Sequence, residues 1–375
     1  MRKLRKILRI SALVLVVVLV IGGAYLGYLL TSNSYPGPDG DGWIRIQDLA
    51  RPRGEVGATF AIPGPPGTPD ICPDAPCEPQ FYVVGGLVGP LGRTVADVDI
   101  LDARGTWRQG PPLPEARHHP AAASIGGAVF VSGGAKRALN WSPESNLWVL
   151  RPGSDTWDQL PDMPEGRIGH AMVAFNGKLY VIGGRGESSS VLVYDLELGW
   201  STKAEMPAKR DHLAAVEYRG KIYAIGGRDD RILRRVDIYD VGADSWASGP
   251  DLPSATSGMA AELLKDQRIH VVGGEDPGTF GGRVIDRHFV LDLETNTWSN
   301  GPRPQLAVHG AASDQVAGIL LIVGGSRRQG TFSTLAWTGV ATRFEPEVAA
   351  PIPTTSPTPT PTGTSPSPTP STTPT

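Results

Sequence analysis

Six short apolar runs punctuate the chain, and each ends in a glycine pair: FYVVGG at Gly85, VFVSGG at Gly133, LYVIGG at Gly183, IYAIGG at Gly226, IHVVGG at Gly273 and LLIVGG at Gly324. An apolar run of this length between turn residues fits a strand buried on both faces. A glycine pair lets the backbone take positive φ and approach a neighbouring element closely. Turn dipeptides stand before three of the runs, at Gly126-Gly127, Asn176-Gly177 and Arg219-Gly220; Asn-Gly between apolar runs is a strong hairpin signal. Downstream lie segments such as VLVYDLELGW and VDIYDVGADSW. In these an apolar strand reaches an Asp turn (Asp102, Asp195, Asp240, Asp292) and a further strand opens on Trp. Each unit reads as four antiparallel strands, a to d from the inside out.

The spacing is regular. Tryptophans 43, 107, 157, 200, 246 and 298 stand 42, 26, 26, 26, 27 and 26 residues before the next glycine pair. The reverse interval varies, so the variable loops lie between glycine pair and Trp. A fixed period of this kind marks a repeat architecture. With WDQLPDMPEGR from Trp157 and WSTKAEMPAKR from Trp200, the unit resembles the kelch repeat over residues 43 to about 340. The resemblance implies an all-β fold, a six-bladed β-propeller. Departures are local: Leu150-Arg151 stands where Tyr-Asp is expected, and the last two repeats lack the Arg. Trp43 has no glycine pair before it. A strand at Gly42–Ile46 is therefore expected to complete blade six beside a third strand near Thr331–Trp337. That closes the ring and removes open sheet edges.

The ends of the chain set its expected compartment. Residues 10–30 are 21 consecutive uncharged, mostly apolar residues, preceded by Arg2, Lys3, Arg5, Lys6 and Arg9. At 1.5 Å per residue this spans a bilayer core of about 30 Å, and the basic cluster places residues 1–9 in the cytoplasm. A cleaved signal peptide is the alternative, although its apolar region is shorter. Both readings put residues 42–345 outside the cytoplasm. Residues 31–41 form a linker, and 346–375 a disordered Pro/Thr/Ser-rich tail. The interval of 42 contains an insertion near Pro63–Gln80 that holds Cys72 and Cys77, expected as a local disulfide in an oxidising compartment.

Removing the five N-terminal cations leaves 30 basic against 38 acidic residues, net −8, which argues against nucleic acid as a partner. The residue ten after each Trp is Arg53, Arg117, Arg167, Arg210, Thr256 and Val308. These positions are expected to circle the mouth of the central channel on the face that carries the b–c loops. Converging cations without built-in carboxylate partners suit a carboxylate, sulfate or phosphate. Two positions further come His119, His212 and, with a one-residue slip, His309; His170 lies one beyond its slot. Glu55 is the one carboxylate at that position. Trp141, in the long loop Ala135–Asn146, is expected to be exposed and free to stack on a sugar or a partner. Arg228, Arg231, Arg327 and Arg328 sit on the same set of loops.

The chain has no G-x-S-x-G, no H-E-x-x-H and no phosphate-cradling loop. The expectation is a monomeric binding module for a protein, an acidic peptide or an acidic carbohydrate, with no cofactor, no metal and no catalytic residue. The rival reading is an enzyme similar to the kelch propellers that interconvert sialic-acid anomers. It needs an acid–base group beside the cationic ring, where Glu55 stands.

Overall fold

The apolar runs form the second strand of six four-stranded antiparallel sheets. The computed structural model describes residues 42–62, 78–186, 189–276, 283–328 and 337–347. The expected anchor at 10–30, the linker, Cys72, Cys77 and the tail past Glu347 lie outside these residues. Among the described residues no helix is long and apolar enough to cross a membrane.

In chain order the first sheet runs Gly57–Ala61, Gln80–Val84, Val98–Leu101, Trp107–Gln109. The second runs Ala121–Ile125, Ala128–Ser132, Leu147–Leu150, Trp157–Leu160. The third runs Ala171–Phe175, Lys178–Ile182, Ser190–Asp195, Gly199–Glu205. The fourth runs Ala214–Tyr218, Lys221–Ile225, Val236–Asp240, Ser245–Ser248. The fifth runs Ala260–Leu263, Arg268–Val272, His288–Asp292, Thr297–Asn300. The sixth joins the two ends of the described chain: Ala312–Val316, Ile319–Val323, Ala341–Phe344 and, outermost, Trp43–Arg45. Trp43 pairs with Phe344 and Arg45 with Thr342. The third strand of this sheet is Ala341–Phe344; of the stretch Thr331–Trp337 expected there, residues 331–336 lie outside the described residues, and Trp337 forms a bridge to Ser326.

The first strands touch one another in sequence order, and Ala312–Val316 touches Gly57–Ala61, so the sheets form a cycle. The core lies between adjacent sheets. Phe130, Leu147 and Val149 of the second, for example, meet Leu179, Val181, Leu192 and Tyr194 of the third. Each such side chain stabilises the fold by about 1.5–3 kcal/mol on burial.

Two rings of hydrogen bonds stitch neighbouring sheets. In the outer ring each strand-opening indole donates to a carbonyl of the preceding sheet's outgoing segment. Trp107 reaches Gln47 O at 2.8 Å, Trp157 Pro111 O at 2.9 Å, Trp200 Pro161 O at 2.8 Å, Trp246 Ala204 O at 3.3 Å, Trp298 Pro250 O at 2.9 Å and Trp43 Pro302 O at 3.1 Å. In the second ring the latter glycine of each pair donates to the next sheet: Gly86 to Arg117 O, Gly134 to Arg167 O, Gly184 to Arg210 O, Gly227 to Thr256 O, Gly274 to Val308 O and Gly325 to Arg53 O. This contact explains the pairs. A Cβ on Gly85 or Gly133 would lie 2.4 Å from that same carbonyl oxygen, at φ of +66° and +60°.

Candidate functional site

The segment entering each first strand makes a third and innermost ring. Glu55 N donates to Gly310 O, His119 N to Glu55 O, Gly169 N to His119 O, His212 N to Gly169 O, Gly258 N to His212 O and Gly310 N to Gly258 O, closing on itself. All six residues are left-handed, with φ from +53° to +64°. Glycine adopts this conformation freely; Glu55, His119 and His212 do so at a cost on the order of 1 kcal/mol or more each, which the surroundings must offset. The side chains of Glu55 and His212 fold over glycine neighbours in the ring. A Cβ on Gly310 would lie 2.6 Å from Glu55 Cδ, and one on Gly169 would lie 3.0 Å from His212 Nδ1.

The three side chains meet at the loop-face end of the channel, around a cavity of about 100 Å³. Glu55 Oε2 lies 2.8 Å from His119 Nε2. His118 Nε2 lies 3.0 Å from Arg137 O and so carries a proton, while His118 Nδ1 lies 2.6 Å from His119 Nδ1. His118 pKa is lowered to about 4, chiefly by burial, so His118 is neutral and accepts from His119 Nδ1–H. His212 Nδ1–H donates to Asp211, and His212 Nε2 accepts from Arg228 at 3.0 Å. Arg228 also holds Asp211 at 3.0 Å and Glu275 at 2.8 Å. His309 Nε2 donates to Arg328 O at 2.6 Å, and its Nδ1 lies 3.7 Å from Glu55 Oε1. Burial alone raises the Glu55 pKa, but His119, His309 and His212 outweigh it and hold the carboxyl well below its usual range. Burial also raises Asp211, and again the hydrogen bond from His212 and the Arg228 and Arg185 charges outweigh it.

The ring arginines are placed differently from expectation. Arg53, Arg117, Arg167 and Arg210 are at most 2% exposed and carry built-in partners. Arg53 pairs with Asp99 and donates to Val83 O. Arg117 pairs with Glu115 at 2.7 Å and Asn146 at 2.6 Å, and lies over Trp148. Arg167 pairs with Glu165 and donates to Gly183 O and Ser190 O. Arg210 pairs with Asp237 at 2.7 Å and donates to Ala224 O. Each guanidinium is thus held by partners of its own sheet instead of converging on the channel: Arg53, Arg167 and Arg210 donate to carbonyls in or beside the second and third strands, and Arg117 is held by Glu115 and Asn146 and donates to Ala116 O. Thr256 does the same in the fifth sheet, donating to Gly273 O at 3.0 Å.

The histidines divide. His119 and His212 sit in the innermost ring. Gly310 takes the ring position in the sixth sheet, so His309 stands one residue earlier, level with His118 and Asp211. His170 turns into the core to Ser132 Oγ at 2.8 Å, and burial first, then Arg167, lowers its pKa to about 3. Trp141 is half-buried and corrects the expected exposure: its indole donates to Ala138 O, and its rings cover His119 (4.6 Å) and His212 (5.9 Å, stacked). Arg185, with its side chain 52% exposed, lies over the same indole at 5.3 Å and reaches Asp211 at 3.3 Å.

His118, Asp211, Arg185 and Glu275 were not singled out by the sequence reasoning. A signal for them exists. The residue after each glycine pair bridges the residue after the ring arginine position: Ala135 to His118, Arg185 to Ile168, Arg228 to Asp211, Glu275 to Ser257 and Ser326 to His309. Charged residues directly after a glycine pair therefore belong to the channel mouth.

Toward its other end the channel is acidic. A cavity of about 350 Å³ is lined by Thr59, Ser124, Glu217, Glu262 and Asp314 among others. Burial raises the Asp314 pKa to about 6, and burial together with Asp314 raises Glu262 well above its usual range.

The chain is similar to several known proteins. Against curated proteins it is 28% identical over 254 residues to the Kelch-like protein terF of Aspergillus terreus, covering 66% of this chain and 47% of that one. It is 41% identical over 59 residues to a putative F-box/kelch-repeat protein, At2g29820, of Arabidopsis thaliana, covering 16% and 15%. The match thus spans less than half the length of each relative. Among solved structures YjhT aligns with a TM-score of 0.63 at 17% identity over 79% of this chain and 95% of that one, a likeness of fold alone. The model for the KLHDC2/KLHL20/DRC7 Kelch-repeats domain matches at residues 75–274 and 119–325, and the chain belongs to this kelch-repeat family.

Proposed function

We propose that the chain is a six-bladed propeller, tethered to a membrane by residues 10–30 and presented outside the cytoplasm, that binds a carboxylate-bearing ligand at the loop-face end of its channel. One observation carries this reading: the mouth has a buried histidine–glutamate floor and a rim of Trp141, Arg185 and Arg228. The cationic contribution comes from the loop arginines, since the ring arginines are consumed within their sheets. Arg185 is half-exposed, and among the described residues its guanidinium lies over Trp141 and reaches Asp211 only through long contacts of 3.3 and 3.4 Å, so it is available to a planar carboxylate. An acidic sugar or the acidic side chain of a peptide fits this chemistry.

The test is a thermal-shift panel of sialic acids, uronic acids and acidic peptides on the full chain in detergent. A ligand of the folded state raises the midpoint by mass action. Arg185→Ala is expected to abolish the shift while leaving the unliganded midpoint nearly unchanged. Persistence of the shift in that variant refutes the site.

A second reading, anomer exchange of an acidic sugar, is favoured by the 2.8 Å contact between Glu55 and His119. A buried carboxylate beside an imidazole supplies the proton donor and acceptor that ring opening requires. Exchange spectroscopy on the sugar with the parent and Glu55→Gln distinguishes the two. Enzyme-dependent exchange lost in the variant favours catalysis, and its absence from both leaves binding.

A further inference from the structure

We propose that Glu55, His119 and His212 form a site for one zinc-class divalent cation at the loop-face end of the channel. Their ligand atoms all lie within 4.8 Å of one another, and all three residues are buried. Ligands on a tetrahedral ion with bonds of 2.0–2.1 Å lie about 3.3 Å apart, so rotations of these side chains bring the set to bonding distance. Two imidazoles and one carboxylate suit zinc and its neighbours rather than calcium or magnesium, which take oxygen ligands.

The surroundings match this assignment. A metal-binding histidine donates its other ring N–H to a fixed partner. His212 Nδ1–H is held by Asp211, and His119 Nδ1–H by His118, itself fixed to Arg137 O. Both Nε2 atoms are thereby left for the shared centre. With Nδ1 protonated, His119 Nε2 faces a carboxylate oxygen at 2.8 Å. That contact is attractive only with a proton or a cation between the two atoms. His309 adds a second observation. Its Nδ1 is buried without a hydrogen-bond partner among the described residues, and its position 3.7 Å from Glu55 Oε1 places a further lone pair beside the centre. Arg228, now 3.0 Å from His212 Nε2, occupies space that the ion needs. On metal binding it retains Asp211 and Glu275.

The inference does not depend on the carboxylate-ligand reading. Its test uses the full chain in detergent, without a histidine tag, stripped with chelator and titrated with Zn²⁺ and with Co²⁺. Bound metal is read by elemental analysis and by the ligand-field absorption of Co²⁺. The expected result is one equivalent per chain. Glu55→Gly and His212→Gly accept the left-handed backbone and keep the fold; each lowers affinity by more than about 100-fold, and Asp211→Asn lowers it about 10–100-fold. Arg228→Gln raises affinity several-fold by removing the competing cation. Failure of the folded parent to take up either metal overturns the proposal. So does one equivalent bound unchanged by both glycine variants, which moves the metal elsewhere, for instance to Cys72 and Cys77.

Discussion

Truncating Arg210 separates a strut from a ligand-binding cation. Its guanidinium is buried, and so is its partner Asp237. Arg210→Ala removes the 2.7 Å ion pair and the 2.9 Å bond to Ala224 O, and leaves that carbonyl without this donor inside the sheet. Removing one partner of a buried pair costs about 3–5 kcal/mol, because the other charge is left without compensation. Asp237 keeps Arg235 Nε at 2.7 Å from a side chain that is 39% exposed, which puts the cost at the lower end, about 3 kcal/mol. At roughly 2 °C per kcal/mol for a domain of this size, the midpoint falls by about 6 °C. Circular-dichroism melts and urea titrations of parent and variant measure it. Arg210→Met with Asp237→Leu recovers most of the loss, since a matched apolar pair does not strand a charge. A change below about 1 kcal/mol in Arg210→Ala, accompanied by loss of ligand binding, refutes the strut assignment.

Three further outcomes follow from the same geometry. Asp314 and Glu262 hold protons in the folded channel that the unfolded chain gives up earlier, so stability falls as pH rises from the ordinary carboxyl range toward about 6; Glu262→Gln raises the midpoint at pH 7–8 and leaves it unchanged at pH 4, and an equal effect at both pH values contradicts the assignment. Trp43→Ala removes a side chain 1% exposed that packs on Phe344 and bonds Pro302 O; it costs about 3–5 kcal/mol, and hydrogen exchange shows first loss of protection at Ala341–Phe344 if this strand closes the cycle. Gly310→Ala places a Cβ 2.6 Å from Glu55 Cδ at φ +59°; it displaces Glu55, costs about 1–3 kcal/mol and weakens ligand and metal binding together, whereas binding at parental strength argues that Glu55 is not part of the site.

Most of the fold was legible because the repeat states the same instruction six times. The glycine pairs mark where one sheet's backbone meets the next sheet's carbonyl, and the tryptophans mark the indole bonds, so the spacing of these residues carried the sheet order. The lone Trp43 sufficed to place the strand that closes the sixth sheet. The third strand of that sheet was misplaced because Trp337 looks like a strand residue yet only bridges Ser326. The site was legible by position and not by direction. Counting from each Trp found Glu55, His119 and His212. It could not show that Arg53, Arg117, Arg167 and Arg210 turn outward into their sheets, because a long flexible side chain follows its partners rather than its Cα. Trp141 was misjudged for a similar reason: polar neighbours in the sequence did not show that the indole folds back over His119 of its own sheet and His212 of another.

The most direct test of the account is hydrogen–deuterium exchange of the full chain with and without the acidic ligand that gives the largest thermal shift. Protection concentrated at residues 118–119, 138–141, 185 and 211–212 is the predicted result. Protection confined to the a–b turns around residues 126–127, 176–177 and 219–220, on the opposite face, contradicts a site at the channel mouth.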